Sequence, residues 1–375
     1  MIKRYYDNLD DYLKQGKVLV IYGPRQVGKT TLLKEYLEKT AFKYKLDSGD
    51  NISIQNVLSS GNIKKIKEYS EGYELIVIDE AQNIPRIGQG LKIIIDEIPG
   101  IRIIVTGSSS FDLAHQIGEP LTGRKRTLTL FPVAQLELLD HNNKFEIRER
   151  LEEFLIFGGY PEVITSSGRN DKISVLNELV NSYLYKDVLA FGNVRGAKPI
   201  TDLVKLLAFQ VGSEVSCREL SSRLGIDIKT VQRYLDILEK AFIIKPLNPL
   251  SRNLRKEISK MNKYYFYDNG IRNTVIAQYN GLDMRDDTGK LWENYTFIER
   301  LKKREYKQIP ANMYFWKSYN GKEIDLVEER EGRHYAYECK WSARGNEKGP
   351  KEFMRAYDNA EYRVIHNDNY LDFII

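Results

Sequence analysis

The residues from Gly23 to Thr31, GPRQVGKTT, have the composition and spacing of a phosphate-binding loop. Two glycines separated by four residues let backbone N–H groups surround a phosphate, and a Lys and a Thr follow the second glycine. Lys29 is expected to contact the β- and γ-phosphates of ATP, and the Thr30 hydroxyl to bind Mg²⁺. The predicted cofactor-binding residues are Gly23, Pro24, Arg25, Gln26, Val27, Gly28, Lys29, Thr30 and Thr31.

A second apolar run, LIVIDEAQ, contains two adjacent carboxylates. Leu75 to Ile78 are predicted to form a buried parallel strand, so that Asp79 and Glu80 lie at its carboxyl end. Asp79 is expected to hold Mg²⁺ through its water shell, and Glu80 to polarise the water that attacks the γ-phosphate. The alternative is that the two carboxylates only cap the helix that follows.

Two later segments add polar groups to this predicted nucleotide site. RIIVTGSSS predicts a third strand between the other two, with Thr106 or Ser108 as a polar sensor near the γ-phosphate. LTGRKR offers Arg124, which would reach the nucleotide of a neighbouring subunit if the subunits form a ring. The alternative for Arg124 and Arg126 is a solvated basic turn, and Arg25 is another candidate for a phosphate contact.

The flanking residues predict the elements that position the nucleotide site. KVLVIY, before the loop, predicts a strand, and LLKEYLEK, after it, predicts a helix whose N-terminus favours a phosphate. Residues 145–195 predict helices interrupted by FGGYPEV at 157–163, which is the pattern of a small helical lid after an ATPase core.

A basic region follows the predicted lid. Residues 195–265 contain 14 Lys and Arg against 7 Asp and Glu, and this local surplus favours a polyanion partner. Three short predicted helices and a strand indicate a winged helix-turn-helix, in which Ser216 caps the second helix. The third helix has an apolar stripe of Ile228, Val231, Leu235 and Leu238. The predicted DNA-binding residues are Lys229, Thr230, Gln232 and Arg233 on this helix, and Arg252, Arg255, Lys256, Lys260 and Lys263 in the wing. The alternative is a winged helix used only for packing.

Two predicted hairpins near the end of the sequence bring charged residues together. Turns at Asn320-Gly321 and Glu331-Gly332 place Asp325 opposite Glu338 on adjacent strands. Opposed like charges destabilise a sheet unless a cation lies between them, so this pair predicts a divalent metal site. Lys340 on the same face would activate a water, and Glu293 in an upstream helix would complete the metal shell. This is the pattern of PD-(D/E)xK nucleases; the alternatives are exposed surface charges or a nuclease-like domain that binds without cutting.

The length of 375 residues predicts several domains. We expect an ATPase core at 1–140, a helical lid at 141–196, a winged helix at 197–275 and a nuclease-like domain at 276–375. No apolar run in the sequence reaches transmembrane length, and from the residues at 1–16 we expect no secretory signal. Cys217 and Cys339 lack metal-ligand spacing and are interpreted as free thiols in a reducing cytoplasm.

In their order along the chain, the motifs resemble those of a large family of prokaryotic AAA-type ATPases. In this family a P-loop domain is joined through a winged helix to a C-terminal nuclease-like domain. The matching segments are IYGPRQVGKTTLL, LIVIDEAQ, IIVTGSSS, LTGRKRTLTLFPV, FGGYPEV, KYYFYDNGIRN and GKEIDLV with YECK. The resemblance implies an α/β protein with an AAA-type P-loop core, a restriction-endonuclease-like C-terminal α/β domain, and homo-oligomers such as hexamers.

The expected function is that of a Mg²⁺-dependent cytoplasmic ATPase that binds DNA and remodels or processes branched or broken duplexes. Its C-terminal domain would grip the DNA or cut it as a metal-dependent endonuclease. One alternative is a signalling switch in which ATP changes partner affinity with little turnover. Another is a DNA-structure-binding protein with an inactive nuclease fold.

Overall fold

The computed structural model describes residues 2–108, 118, 120–182, 198–250, 261–342 and 348–375. Four predicted DNA contacts, Arg252, Arg255, Lys256 and Lys260, therefore lie outside the described residues. The chain divides into two compact units. Unit 1 comprises Met1–Phe131 and Lys240–Phe242, and unit 2 comprises Pro132–Glu239 and Ile243–Ile375.

Unit 1 contains a parallel sheet. Its strands are β1 (Val18–Tyr22), β2 (Tyr44–Ser48), β3 (Leu75–Asp79), β4 (Arg102–Gly107) and β5 (Lys125–Thr129). The five strands have the order β2-β3-β4-β1-β5. As predicted, β4 lies between β3 and β1, so the polar motifs that follow these three strands share one edge of the sheet. β1 and the apolar part of β3 are buried along their length, as expected for parallel strands covered on both faces.

Helices cover this sheet. They are α1 (Lys29–Leu37), α2 (Ile52–Leu58), α3 (Ile63–Ser70) and α4 (Ile87–Glu97). Leu58, Ile66, Leu91 and Ile94 from α2, α3 and α4 pack with the buried strand residues in one apolar core. α1 begins directly after the glycine-rich loop, as the sequence predicts.

Unit 2 contains a mixed sheet. Its strands are β6 (Glu214–Val215), β7 (Ile244–Pro249), β8 (Asn262–Phe266), β9 (Asn312–Lys317), β10 (Glu323–Arg330), β11 (Arg333–Cys339) and β12 (Ala360–Ile365). The seven strands have the order β12-β11-β10-β9-β7-β8-β6. A single sheet thus contains strands from residues 197–275, predicted to form a winged helix, and from residues 276–375, predicted to form a nuclease-like domain.

The register of the last hairpin agrees with the prediction. Glu331 and Gly332 at its turn have positive φ, as the two central residues of a tight hairpin turn require. Leu326 pairs with Tyr337, and Arg330 pairs with Arg333. The same register continued by one residue sets Asp325 opposite Glu338.

Helices surround the sheet of unit 2. They are α5 (Gln135–Leu138), α6 (Lys144–Glu149), α7 (Leu151–Phe157), α8 (Pro161–Thr165), α9 (Arg169–Leu179), α10 (Lys198–Phe209), α11 (Cys217–Leu224), α12 (Ile228–Lys240), α13 (Asn269–Val275), α14 (Thr288–Tyr306), α15 (Lys351–Ala356) and α16 (Tyr370–Ile374). The long helix α14 packs on the sheet through a buried ion pair, in which Arg300 Nε and Nη2 each donate to Glu328 at 2.7 Å. Within the described residues, no helix combines the length and the apolar character needed to span a membrane.

α10, α11 and α12 precede the strands β7 and β8, in the order predicted for a winged helix. Ser216 caps α11 as predicted, because its hydroxyl accepts from Glu219 N at 3.4 Å. The predicted apolar stripe of α12 is correct for Val231, Leu235 and Leu238, which are buried. Ile228 is instead 42% exposed, because it lies at the first residue of the helix.

Candidate functional site

The glycine-rich loop between β1 and α1 has the tight backbone that phosphate binding requires. A Cβ on Gly23 would lie 2.1 Å from Leu130 O, so only glycine fits at the end of β1. Gln26 and Gly28 have φ of 57° and 93°, and α1 starts at Lys29. The loop and the first turn of the helix together provide backbone N–H donors suited to an anion.

The side chain of Lys29, the first residue of α1, reaches back into this loop. Its Nζ donates to Gly23 O at 2.9 Å and to Pro24 O at 2.8 Å, and the residue is 4% exposed. Burial lowers the pKa of Lys29 to about 8, although the charges of Glu80 and Asp79 act in the opposite direction. A bound phosphate would replace the two carbonyls as the partner of this ammonium group.

Asp79, at the end of β3, connects the loop to the neighbouring strand. Thr30 Oγ1 donates to Asp79 Oδ2 at 2.7 Å, and the Thr106 hydroxyl from β4 donates to Asp79 Oδ1. Hydroxyl and carboxylate oxygens are the ligands that Mg²⁺ prefers, so Thr30 and Asp79 fit the predicted magnesium site.

Glu80 follows Asp79 and is held in a left-handed backbone conformation with φ of 52°. Its N–H donates to Thr106 Oγ1 at 3.0 Å, and its carboxylate accepts from the side-chain amide of Gln82. The same Gln82 amide donates to Ser108 Oγ at 3.1 Å. Both sensor candidates therefore contact the acidic motif, Thr106 directly and Ser108 through Gln82. Gln82 was not predicted, although its place two residues after Glu80 in the same motif was a usable signal.

Arg4 is a second residue that sequence reasoning missed. Its guanidinium donates to Phe131 O at 2.6 Å and to Val27 O in the glycine-rich loop, and the residue is 6% exposed. These contacts tie the loop to the end of the segment after β5. They join positions 23 and 127 residues apart, so no local pattern could have indicated them.

Arg124 lies at the other end of the sheet from the glycine-rich loop. It directly precedes β5, and its carbonyl accepts from Val18 N at 2.8 Å at the start of β1. The loop follows the opposite end of β1, which is five residues long and so spans about 16 Å. The guanidinium pairs with Asp96 and is 46% exposed. Arg126 instead contacts Asp11 O at 3.1 Å, and Arg25 is exposed on the loop.

In unit 2 the structure brings Glu293 and Asp325 together, but with a lysine between them. Lys263 Nζ lies 3.3 Å from Glu293 Oε1 and 3.8 Å from Asp325 Oδ1, and it also pairs with Glu323. The prediction that Lys263 contacts DNA phosphates is therefore wrong, because this residue is 1% exposed and its charge is neutralised by carboxylates. Glu338 pairs instead with Lys340 at 2.6 Å.

Burial raises the pKa of the carboxylates in this cluster. Burial, and then the charge of Asp325, raise the pKa of Glu293 to about 7, while Lys263 and Tyr265 act in the opposite direction. Burial also raises the pKa of Asp325 and, together with the charge of Asp325, that of Glu338. Within the described parts of the chain, no group of three or more His, Cys, Asp or Glu side chains is arranged to hold a metal ion. The predicted metal shell of Glu293, Asp325 and Glu338 is not present in that form.

Exposed basic side chains of unit 2 include those on α12 and those around an open cleft. On α12, Lys229, Gln232 and Arg233 are exposed, whereas Thr230 bonds the helix-capping Asp227 through its hydroxyl at 2.6 Å. An open cleft of about 870 Å³ beside the carboxylate cluster is lined by basic, acidic and apolar side chains. Its lining residues include Lys322, Glu323, Glu338, Lys348, Lys351 and Tyr362.

Three domain families match successive parts of the chain. Residues 15–139 match an AAA domain, residues 148–284 match a domain of unknown function (DUF8612), and residues 288–373 match another domain of unknown function (DUF4143). The prediction of a P-loop AAA-type domain is therefore confirmed for residues 15–139, in a domain with a parallel sheet. AAA domains are ATPase domains, so residues 15–139 form a domain of this class.

Two uncharacterized proteins are similar to most of this chain. An uncharacterized protein of Mycobacterium tuberculosis is 27% identical over 331 residues, which cover 88% of this chain and 71% of the relative. An uncharacterized protein of Methanocaldococcus jannaschii is 28% identical over 368 residues, which cover 92% of this chain and 79% of the relative. A solved signal-transduction ATPase with a tetratricopeptide-repeat sensor from Pyrococcus horikoshii aligns with 13% identity and a TM-score of 0.30, over 79% of this chain and 44% of its own.

Proposed function

We propose that this chain is a Mg²⁺-dependent ATPase. The observation that carries the proposal is the hydrogen bond between Thr30 and Asp79, which brings the glycine-rich loop and the acidic strand end together beside the ammonium group of Lys29. In this proposal Lys29 binds the β- and γ-phosphates, and Thr30 and Asp79 hold Mg²⁺. The ion, when bound, would neutralise charge on the phosphates. Glu80 orients the attacking water, and Thr106 fixes the backbone of Glu80.

Two substitutions separate binding from hydrolysis. Lys29→Ala removes a phosphate contact, so both ATP affinity and turnover should fall. Glu80→Gln keeps the side-chain shape but removes the negative charge, so ATP should bind and remain unhydrolysed. A fluorescent ATP analogue would report binding and phosphate release would report turnover, with the exposed Glu71→Gln as the matched control. Hydrolysis by Glu80→Gln at the wild-type rate would refute the role of Glu80.

We also propose that unit 2 binds DNA, with branched or broken duplexes as the preferred class. The supporting observation is the cleft lined by Lys322, Lys348 and Lys351. The two carboxylates of the cleft already form ion pairs, Glu323 with Lys263 and Glu338 with Lys340. The three lysines of the cleft lining therefore leave it with a positive charge that attracts phosphates. The exposed Lys229, Gln232 and Arg233 of α12 add a second candidate surface. Arg252, Arg255, Lys256 and Lys260, which lie outside the described residues, stay candidates from the sequence alone.

A gel-shift panel of single-stranded, duplex, forked and four-way DNA, with and without ATP, tests this second proposal. Reversal of Lys322, Lys348 and Lys351 to Glu should weaken binding at least tenfold and reduce the salt dependence by about three phosphate contacts. The matched control reverses three exposed lysines of α3, Lys64, Lys65 and Lys67, which changes the net charge equally. Equal losses in both variants would mean a non-specific charge effect. Slow hydrolysis that DNA does not change would favour an ATP-dependent switch.

A further inference from the structure

Lys263 is the most enclosed cation of the carboxylate cluster. It lies on β8, and its side chain is 2% exposed. Its Nζ contacts three carboxylates from two later elements, Glu293 on α14 and both Glu323 and Asp325 on β10. The nearby Phe315 ring has its centroid 5.4 Å from the same atom, on a side where water would otherwise solvate the ammonium group.

The surroundings of Glu293 leave little room for another ion. Tyr265 OH donates to Glu293 Oε1 at 2.7 Å, and this is the oxygen that faces Lys263. A Cβ built on Gly212 would lie 2.9 Å from the same oxygen, so a residue with a side chain would crowd Glu293 at this position. One oxygen of Glu293 is therefore already shared by a hydroxyl and an ammonium group.

A divalent ion that bridges Glu293 and Asp325 would have to lie about 2.0–2.6 Å from their oxygens. Lys263 Nζ is already 3.3 Å from the first carboxylate and 3.8 Å from the second. An ion on the oxygen that Lys263 already contacts would lie within about 6 Å of the ammonium group, in a buried region where like charges repel strongly. The lysine and a bridging metal ion are alternatives at this position.

We infer that Lys263 is the permanent counter-ion of Glu293, Glu323 and Asp325, so that the cluster holds no divalent metal in the native chain and becomes a divalent-cation site only when this lysine is removed. Asp325 and Glu338 repel each other, and two lysines, Lys263 and Lys340, supply the positive charge that offsets this repulsion. This inference does not depend on the proposed ATPase and DNA-binding functions.

The test uses the full chain without nucleotide, in an Asp79→Asn background that removes the candidate metal ligand of unit 1. The chain that retains Lys263 is compared with the Lys263→Met variant, because methionine has a similar length and no charge. Thermal unfolding measures stability, and electron paramagnetic resonance measures Mn²⁺ binding. With Lys263, Mn²⁺ should neither bind at the cluster nor shift the melting temperature. Lys263→Met should melt roughly 5–10 °C lower in EDTA, because three carboxylates lose their cation. It should also bind one Mn²⁺ per chain and regain stability.

Two further variants complete the design. Adding Asp325→Asn to Lys263→Met should abolish the new Mn²⁺ site, and Asp325→Asn alone should lower the melting temperature in EDTA, because Lys263 loses a partner. If Lys263→Met does not fold, the chain with Lys263 decides the question. Mn²⁺ binding there that Asp325→Asn abolishes, or stabilisation by Asp325→Asn in EDTA, would overturn the inference. A folded Lys263→Met that binds no Mn²⁺ would overturn it as well.

Discussion

Thr30 Oγ1 and Asp79 Oδ2 lie 2.7 Å apart, joined by a hydrogen bond between the first turn of α1 and the carboxyl end of β3. The two residues are far apart in sequence and belong to separate elements that the parallel sheet brings to one edge. Because hydroxyl and carboxylate oxygens suit Mg²⁺, Thr30 and Asp79 are the residues that would hold the ion in the proposed ATPase, Asp79 through its water shell.

Replacement of Thr30 by Val should therefore raise the Mg²⁺ concentration needed for half-maximal ATPase activity and lower kcat at least tenfold. The valine keeps the branched shape but removes the hydroxyl ligand. Phosphate release measured across a Mg²⁺ titration checks this. Thr40→Val, at a threonine beyond the end of the same helix, is the matched control and should leave the titration unchanged. Equal Mg²⁺ dependence in Thr30→Val and wild type would contradict the assignment.

Thr106 should affect turnover more than nucleotide binding. Its hydroxyl contacts Asp79 and accepts from Glu80 N, and hydrogen bonds to charged groups contribute about 1.5–3 kcal/mol. Thr106→Val should thus lower kcat by roughly 10- to 100-fold with a change in ATP affinity of less than about threefold. Thr106→Ser retains the hydroxyl and should recover most of the activity. A loss of ATP affinity with kcat unchanged would mean that Thr106 acts only in binding.

Much of the candidate nucleotide site and the last hairpin could be predicted from the sequence because their signals are local. The glycine-rich loop, the buried run from Leu75 to Ile78 and the register of the last hairpin each follow from residues within about a dozen positions. The hairpin register needs only the turn at Glu331-Gly332 and the two-residue period of a strand. In such cases the backbone pattern already determines which side chains meet.

The buried ion pairs of Lys263 could not be predicted from such local patterns. It follows several basic residues in the sequence, so composition favours a phosphate contact. Its carboxylate partners come from α14 and β10, at least 30 positions later, and only the packing of these elements against β8 brings the charges together. The contacts of Arg4 with the glycine-rich loop are of the same kind. Long-range ion pairs depend on the tertiary fold rather than on a periodic pattern, so a single sequence gives little indication of them.

Arg124 should act between subunits if it contributes to hydrolysis. It lies at the amino end of β5, too far from the loop of its own subunit, and its pairing with Asp96 leaves it half exposed. Arg124→Ala and Lys29→Ala chains should each be inactive alone, and a mixture should recover part of the activity, because some interfaces then combine an intact loop with an intact arginine. The measurement is phosphate release as a function of mixing ratio. No recovery, together with full activity in a monomer, would refute action in trans.

Asp287 should make the stability of unit 2 depend on pH in the acid range. Burial would raise its pKa, but hydrogen bonds from Arg285 and the charge and hydrogen bond of Arg272 outweigh this effect and lower the pKa from 3.8 to about 2. A carboxyl whose pKa is lower in the folded chain stabilises the fold above pH 4, and this contribution is lost as the pH falls toward 2.

The prediction for Asp287→Asn follows from this sign. The variant should be destabilised by roughly 3–5 kcal/mol at pH 7, because two buried arginines, Arg272 and Arg285, lose their common carboxylate. Between pH 4 and pH 2 the difference in unfolding free energy between wild type and variant should become smaller, by no more than about 2 kcal/mol. The limit applies because solvent screens this partly exposed carboxylate. Urea unfolding at pH 7, 4 and 3 measures both effects, and Asp286→Asn, at the exposed neighbouring carboxylate, is the control. A deficit that widens as the pH falls would show that the carboxylate of Asp287 is not the group that the two arginines stabilise.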